Sequence, residues 1–352
     1  MPQRTSQHIG GNEASGKPRR TLPIIIAFWV RIALIGLVGA IIAGRLGGIE
    51  PTLDLAAHFQ VQYLGGSLIC LVLCLLVRHW RWAALAALCT VLTAWQVLPW
   101  YLPPQATCAS DSEAPQRALR VLLANVLTEN GRHDEVLALI EQTSPDVVVL
   151  QEVNGRWLRA LAPVRADLPH VISATREDNF GIAVFSRYPL EGARVRYFGS
   201  AEVESIVGRI SVEGRAVTLI ATHPVPPLSW RLARLRDEQL EAVAEHVADT
   251  PGPVLLVGDL NVTMWSAPYR RLIDMTGLCN ARKGFGILPS WSMHKPFFAR
   301  IPIDHCLHSE DIGVASCQLG DPIGSDHRPL IVDLLLPEPN VIEEAPSSDG
   351  ED

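Results

Sequence analysis

Eight polar residues, Asn125, Glu152, His223, Asp259, Asn261, Asp304, Asp326 and His327, stand where apolar runs of this 352-residue chain break off. Asn125 closes LRVLLAN (119–125), Glu152 follows DVVVLQ (146–151), and His223 follows AVTLIAT (216–222). Asp259 and Asn261 follow PVLLVG (253–258), Asp304 follows a short apolar stretch, and Asp326-His327 lies just before PLIVDLL (329–335). Asp259 and Asn261 are two apart, so an extended segment turns both side chains the same way. The set holds only Asn, Glu, Asp and His, the wrong composition for a structural zinc site built on Cys and His. Hard carboxylate and amide oxygens suit Mg²⁺ or Mn²⁺, which keep several waters and lean on substrate phosphate.

These residues need a rigid base, and strand ends supply one. GIAVFS (181–186) and SIVGRISV (205–212) add two more strands, while helical periodicity covers 132–143, 154–161 and 229–247. Many strands with few, widely spaced helices predict layered α+β architecture rather than strict βαβ winding. Arg231, Arg234 and Arg236 read as a solvated face of the 229–247 helix. His305 and His308 read as surface residues, and Trp291 as packing.

The chain ahead of this region is of another kind. Residues 22–44, 61–77 and 82–100 are apolar and each about a bilayer long, since roughly 20 apolar residues cross the hydrocarbon. Arg31 within the first costs about 2.5–3.5 kcal/mol near mid-span, which the surrounding Leu, Ile, Val and Phe offset. Lys17, Arg19 and Arg20 precede the first span and Arg78 and Arg81 sit between the second and third, whereas the first loop carries only Arg45 beside Glu50 and Asp54. The positive-inside rule then predicts a cytoplasmic segment over 1–21, a three-helix anchor over 22–100, and everything beyond on the extracytoplasmic side. Residues 101–117 read as a Pro/Ser/Ala tether, 118–336 as the soluble domain, and 337–352 as a disordered acidic tail. Seven cysteines at irregular spacing form neither a zinc ribbon nor a dense disulfide scaffold. A disulfide among those outside the membrane is compatible with an oxidising compartment, with its pairing open.

The pieces LLANV, VVVLQEV, GIAVFSRYPL, LIATHP, LLVGDLNVT, PSW followed by IPIDHCL, and GSDHRPLIVDL, in this order over about 118–335, resemble the endonuclease/exonuclease/phosphatase superfamily. The resemblance implies a four-layer α/β/β/α sandwich and metal-dependent cleavage of phosphate esters by water. It implies Glu152 as principal ligand of Mg²⁺ (or Mn²⁺), with Asn125 beside it and Asp326 completing the cradle. Asp259 would orient or deprotonate the water, Asn261 hold a phosphate oxygen, and His223 and His327 donate to phosphate. Asp304 would fix the tautomer of His327, and the proton acceptor stays open between Asp259 and His327. Residues 118–336 carry 21 Lys+Arg against 26 Asp+Glu, so charge does not favour nucleic acid as a partner, because duplex affinity rests on phosphate neutralisation. Three spans ahead of such a domain resemble bacterial membrane-bound members, including proteins associated with teicoplanin resistance. That architecture implies an enzyme of the cell membrane acting outside the cytoplasm on phosphate esters, with membrane lipid phosphate as a candidate substrate. The competing expectations are an extracytoplasmic nuclease and a non-catalytic membrane sensor.

Overall fold

The computed structural model describes residues 21–103 and 117–336; the expectations for most of 1–21, most of 101–117 and all of 337–352 lie outside the described residues. Two six-stranded sheets form the soluble domain. The first contains β1 (Arg117–Asn125), β2 (Val147–Gln151), β3 (His170–Ala174), β4 (Ile182–Ser186), β11 (Gly313–Leu319) and β12 (Leu330–Leu336), in the order β11-β12-β1-β2-β4-β3. The second contains β5 (Leu190–Tyr197), β6 (Glu204–Val212), β7 (Arg215–Thr222), β8 (Val254–Asp259), β9 (Cys279–Asn280) and β10 (Asp304–His308), in the order β5-β6-β7-β8-β10-β9. The pairs β1–β2 and β7–β8 are parallel and the others antiparallel.

Side-chain alternation builds the layers. Leu119, Val121, Leu123, Val147 and Val149 of the first sheet meet Ile206, Ile210, Val217, Leu219, Leu255 and Val257 of the second in a shared core. The alternate residues Leu122, Ala124, Val148 and Leu150 turn outward beneath α4 (His133–Thr143) and α5 (Gly155–Ala160). On the opposite side Ile220, Val254 and Leu256 pack under α6 (Trp230–Ala248) and α7 (Ala267–Thr276). The expected four layers are therefore present. The starts of α6 and α7 are capped in the ordinary way: Ser229 accepts from Leu232 N–H and Ser266 from Tyr269 N–H, with Pro268 at the start of α7.

Ahead of the domain stand α1 (Thr21–Arg45), α2 (Gln60–Leu76) and α3 (Trp80–Val97). Ile24–Arg45, Leu53–Leu76 and Trp80–Tyr101 are long and apolar enough to cross a membrane. Arg31 is not stranded in the span: its guanidinium lies 2.9 Å from His79 Nδ1 in the α2–α3 turn and 5.7 Å from the Trp82 ring. The helices also touch the soluble domain directly. The Trp265 indole donates to the Gln96 carbonyl at 2.9 Å, and the N–H groups of Gly284 and Gly286 both donate to the Trp100 carbonyl. Gln62 of α2 donates to the carbonyls of Phe298 and Arg300 at 3.0 and 3.1 Å. These hydrogen bonds hold the domain against the anchor.

Three surface expectations are corrected. Arg236 is fully buried, drawn under the domain by Asp237, whose carboxylate accepts from its Nε at 2.9 Å. His305 and His308 lie on β10, a central strand, and are buried. His305 donates from Nε2 to the Val262 carbonyl at 2.9 Å, and burial beside Arg282 pushes its pKa down to about 3.

Candidate active site

Strand ends deliver seven of the eight residues to one place from two sides, and Asn261 follows two residues after Asp259. Asn125 ends β1, Glu152 follows β2, and Asp326-His327 precedes β12, all on the first sheet. His223 follows β7, Asp259 ends β8 and Asp304 begins β10, all on the second. Antiparallel register sets Asp304 directly opposite Asp259. Gln151 joins the two sheets: its Oε1 accepts from Asp259 N–H and its Nε2 donates to the Thr222 carbonyl, each at 2.8 Å. A Cβ on Gly258 would stand 1.9 Å from the carbonyl oxygen of Thr222 on the neighbouring strand and 2.8 Å from Gln151 Nε2 of the other sheet. Gly258 is thus required by contact, not by its φ.

The centre of the site is an imidazole between two carboxylates. His327 donates from Nδ1 to Asp304 Oδ2 at 2.9 Å, and its Nε2 lies 3.6 Å from Asp259 Oδ2. Burial lowers the pKa of His327, but the charges of Asp304 and Asp259 outweigh it and raise the value to about 10. Burial would raise Asp304, yet the same partnership holds its carboxyl below the ordinary range. His223 faces Asp259 from the other side, Nε2 to Oδ2 at 3.5 Å, and its buried Nδ1 has no hydrogen-bond partner. Asn261 donates its N–H to Asp259 Oδ1 at 2.9 Å and its side-chain amide to the Pro224 carbonyl.

Glu152 accepts from the Asn125 amide at 2.8 Å and from Thr128 N–H at 3.3 Å. Burial raises its pKa against the opposing pull of His223, Asn125 and Thr128. A desolvated carboxylate hydrogen-bonded only to neutral donors is where a cation compensates most. Asn125 orients this carboxylate while its Oδ1 accepts from Leu127 N–H. Asp326 is fixed by Trp291, whose indole donates to Oδ2 at 2.8 Å. Trp291 is therefore a hydrogen-bonding partner of the site rather than packing alone. A second grouping, Asp259, Asp304 and His327, brings one ligand atom from each within 4.8 Å of one another. Its Asp304 and His327 are already satisfied by each other, so the oxygen-rich side at Glu152 fits a hard divalent cation better.

Glu152 (φ 63°) and Asn261 (φ 52°) sit in the left-handed region, at a cost of about 1–3 kcal/mol each that surrounding bonds must hold in place. Three contributors were not foreseen: Gln151, Thr128 and Arg282. Arg282 is fully buried and donates to the carbonyls of Asp304, Ile287 and Leu288, which anchors the start of β10. A buried arginine has no local sequence signature, and the role of Gln151 depends on groups of the other sheet.

Comparison with known proteins gives a consistent picture. Residues 121–327 match the family described as Endonuclease/Exonuclease/phosphatase family. No curated protein matches the chain in sequence. Among solved structures, D. rerio TDP2 complexed with single-strand DNA product superposes with a TM-score of 0.54 at 15% identity, covering 62% of this chain and 98% of that one. The human Nocturnin catalytic domain with bound sulfate gives 0.53 at 19% identity, covering 62% and 95%. The endonuclease/exonuclease/phosphatase from Beutenbergia cavernae gives 0.51 at 22% identity, covering 63% and 72%. At these identities the likeness is one of fold.

Proposed function

Because this chain belongs to the Endonuclease/Exonuclease/phosphatase family, we propose that it is a membrane-tethered phosphoesterase, dependent on Mg²⁺ or Mn²⁺, that hydrolyses phosphate esters outside the cytoplasmic membrane. The observation that carries the reaction is the imidazole of His327 held between Asp304 and Asp259. An imidazole raised to about 10 is protonated at neutral pH, so it donates to phosphate as negative charge gathers there. Asp259, touching both imidazoles and carrying no proton donor of its own when ionised, is left as the acceptor for the attacking water. Asn261 and His223 hold phosphate oxygens. Glu152 would hold the metal, with Asn125 orienting it and Asp326 at the margin; the ion supplies charge neutralisation of the phosphate.

Membrane lipid phosphate is the favoured substrate class. The domain is bonded to the ends of the apolar helices at Gln62, Gln96 and Trp100. Phe297 and Phe298, 77% and 65% exposed, stand on the loop that Gln62 holds, flanked by Lys295 and Arg300. Aromatic and basic residues at the outer end of a span suit a lipid interface. The disulfide at Cys279 supports the extracytoplasmic side. The experiment is a substrate panel on the full chain in lipid nanodiscs: a polyprenyl pyrophosphate, sphingomyelin, inositol phosphates and plasmid DNA. Metal-dependent release of phosphate or headgroup from a lipid is expected. Vigorous DNA cleavage without lipid turnover would make the chain a nuclease, and inertness toward all four would leave a binding role.

A further inference from the structure

Residues 46–59 join α1 to α2, and within them the 3-10 turn Leu53–Phe59 buries Asp54 and His58. Their partners are Thr263 in the loop after Asp259, Ala267 where that loop enters α7, and Arg236 of α6, which reaches the same loop. Asp54 Oδ1 accepts from Ala267 N–H at 2.8 Å, and Oδ2 stands 3.6 Å from Arg236 Nη2. Arg236 in turn donates from Nη1 to the Asn261 carbonyl at 3.1 Å. His58 Nδ1 accepts from Thr263 N–H at 3.3 Å and lies 3.0 Å from Thr263 Oγ1. A backbone N–H only donates, so this nitrogen carries no proton. Gly47 presses against the same aspartate so closely that a Cβ there would stand 2.7 Å from Asp54 Cα and from its Oδ1.

Crossing a bilayer requires apolar length and nothing more. A carboxylate and an imidazole buried at the outer turn cost free energy unless their partners repay it, and here those partners line or contact the loop after Asp259. We infer that Asp54 and His58 are positioning residues of the active site. Asp54 acts through Arg236 and the Ala267 amide, His58 through Thr263, and together they fix the Asp259–Ala267 loop. The domain then reaches its working geometry only when seated on the outer turn of its own anchor, so an excised domain would be slow even on soluble esters. The kinetic part of this inference rests on the proposed hydrolysis; the structural part does not.

The test uses the full chain in nanodiscs, with Asp54→Ala, Asp54→Asn, His58→Leu and His58→Gln. Hydrogen exchange of the peptide spanning residues 259–267 reads the loop, and kcat/KM on a water-soluble aryl phosphate ester reads the chemistry. Asp54→Ala and His58→Leu should speed exchange in that peptide about 10-fold or more and lower kcat/KM about 10–100-fold. Asp54→Asn and His58→Gln keep an acceptor oxygen and should recover most of both. Unchanged exchange in both disruptive variants, or a loosened loop with unchanged kcat/KM, overturns the inference. If Asp54→Ala does not fold, the His58 pair decides. A wild-type chain that hydrolyses no ester defeats the proposed function alone, and the exchange pattern then still supports or overturns the positioning.

Discussion

Replacing Asp304 with Asn removes one of the two carboxylates that hold His327, with almost no change in volume. The imidazole sits 2.9 Å from Asp304 and 3.6 Å from Asp259, inside the protein. A carboxylate at such range is worth about 1–3 pKa units, or ~1.4–4 kcal/mol. Burial pulls His327 down, and the two carboxylates together lift it from 6.5 to about 10. Because the folded value is the higher one, this stabilisation is fully present below pH 6.5 and is lost as pH rises through about 10. Metal-free wild-type protein should therefore lose thermal stability steadily across that window. In Asp304→Asn the titration should end earlier, at about pH 7–9, and the total loss should shrink by ~1.4–4 kcal/mol. The assay is a series of fluorescence melts of the full chain in detergent with EDTA, with His327→Gln as the reference lacking an imidazole. Identical pH slopes in wild type and Asp304→Asn would refute the carboxylate–imidazole account.

Three further outcomes are expected. Exhaustive chelation should abolish ester hydrolysis and Mg²⁺ or Mn²⁺ restore it, with Glu152→Gln reduced at least about 10²-fold at saturating metal; full turnover after chelation would remove the cation from the reaction. Asp259→Asn and His327→Ala should each slow turnover by at least about 10²-fold in a folded chain, and a normal rate in either would strip that residue of its role. A reporter fused after residue 117 should be accessible from outside intact cells, whereas a cytoplasmic signal would reverse the membrane orientation.

The strands that could be read in advance were the β-branched ones buried in the sandwich. β2 and β4, VVVLQ and IAVFS, have all five residues buried and announce themselves by composition. β5, LEGARVRY, is an edge strand with Glu191 and Arg194 exposed, so its polar residues hid it. β10, DHCLH, has histidines that read as surface residues; pairing with β8 buries them, and the carbonyl of Val262 and the side chain of Asn280, distant in sequence, satisfy the buried His305. The eight candidate residues could be picked out because they stand where apolar runs break off. Gln151, Arg236 and Arg282 could not, since what they do depends on carbonyls and carboxylates brought in from other elements. Asp54 and His58 were hidden deeper, inside what composition marks as an anchor.

Gln151 gives the molecule an unusual kind of failure. Its amide fastens Asp259 of one sheet to the strand that ends beside Glu152 of the other, so neither half of the sandwich owns the chemistry. A state in which one sheet survives while the other has melted keeps much of its secondary structure and yet can hold neither water nor phosphate correctly. Turnover should consequently disappear at the first separation of the halves, ahead of any loss of helix or strand signal on heating. Hydrolysis is then the most sensitive gauge of whether the joint is closed.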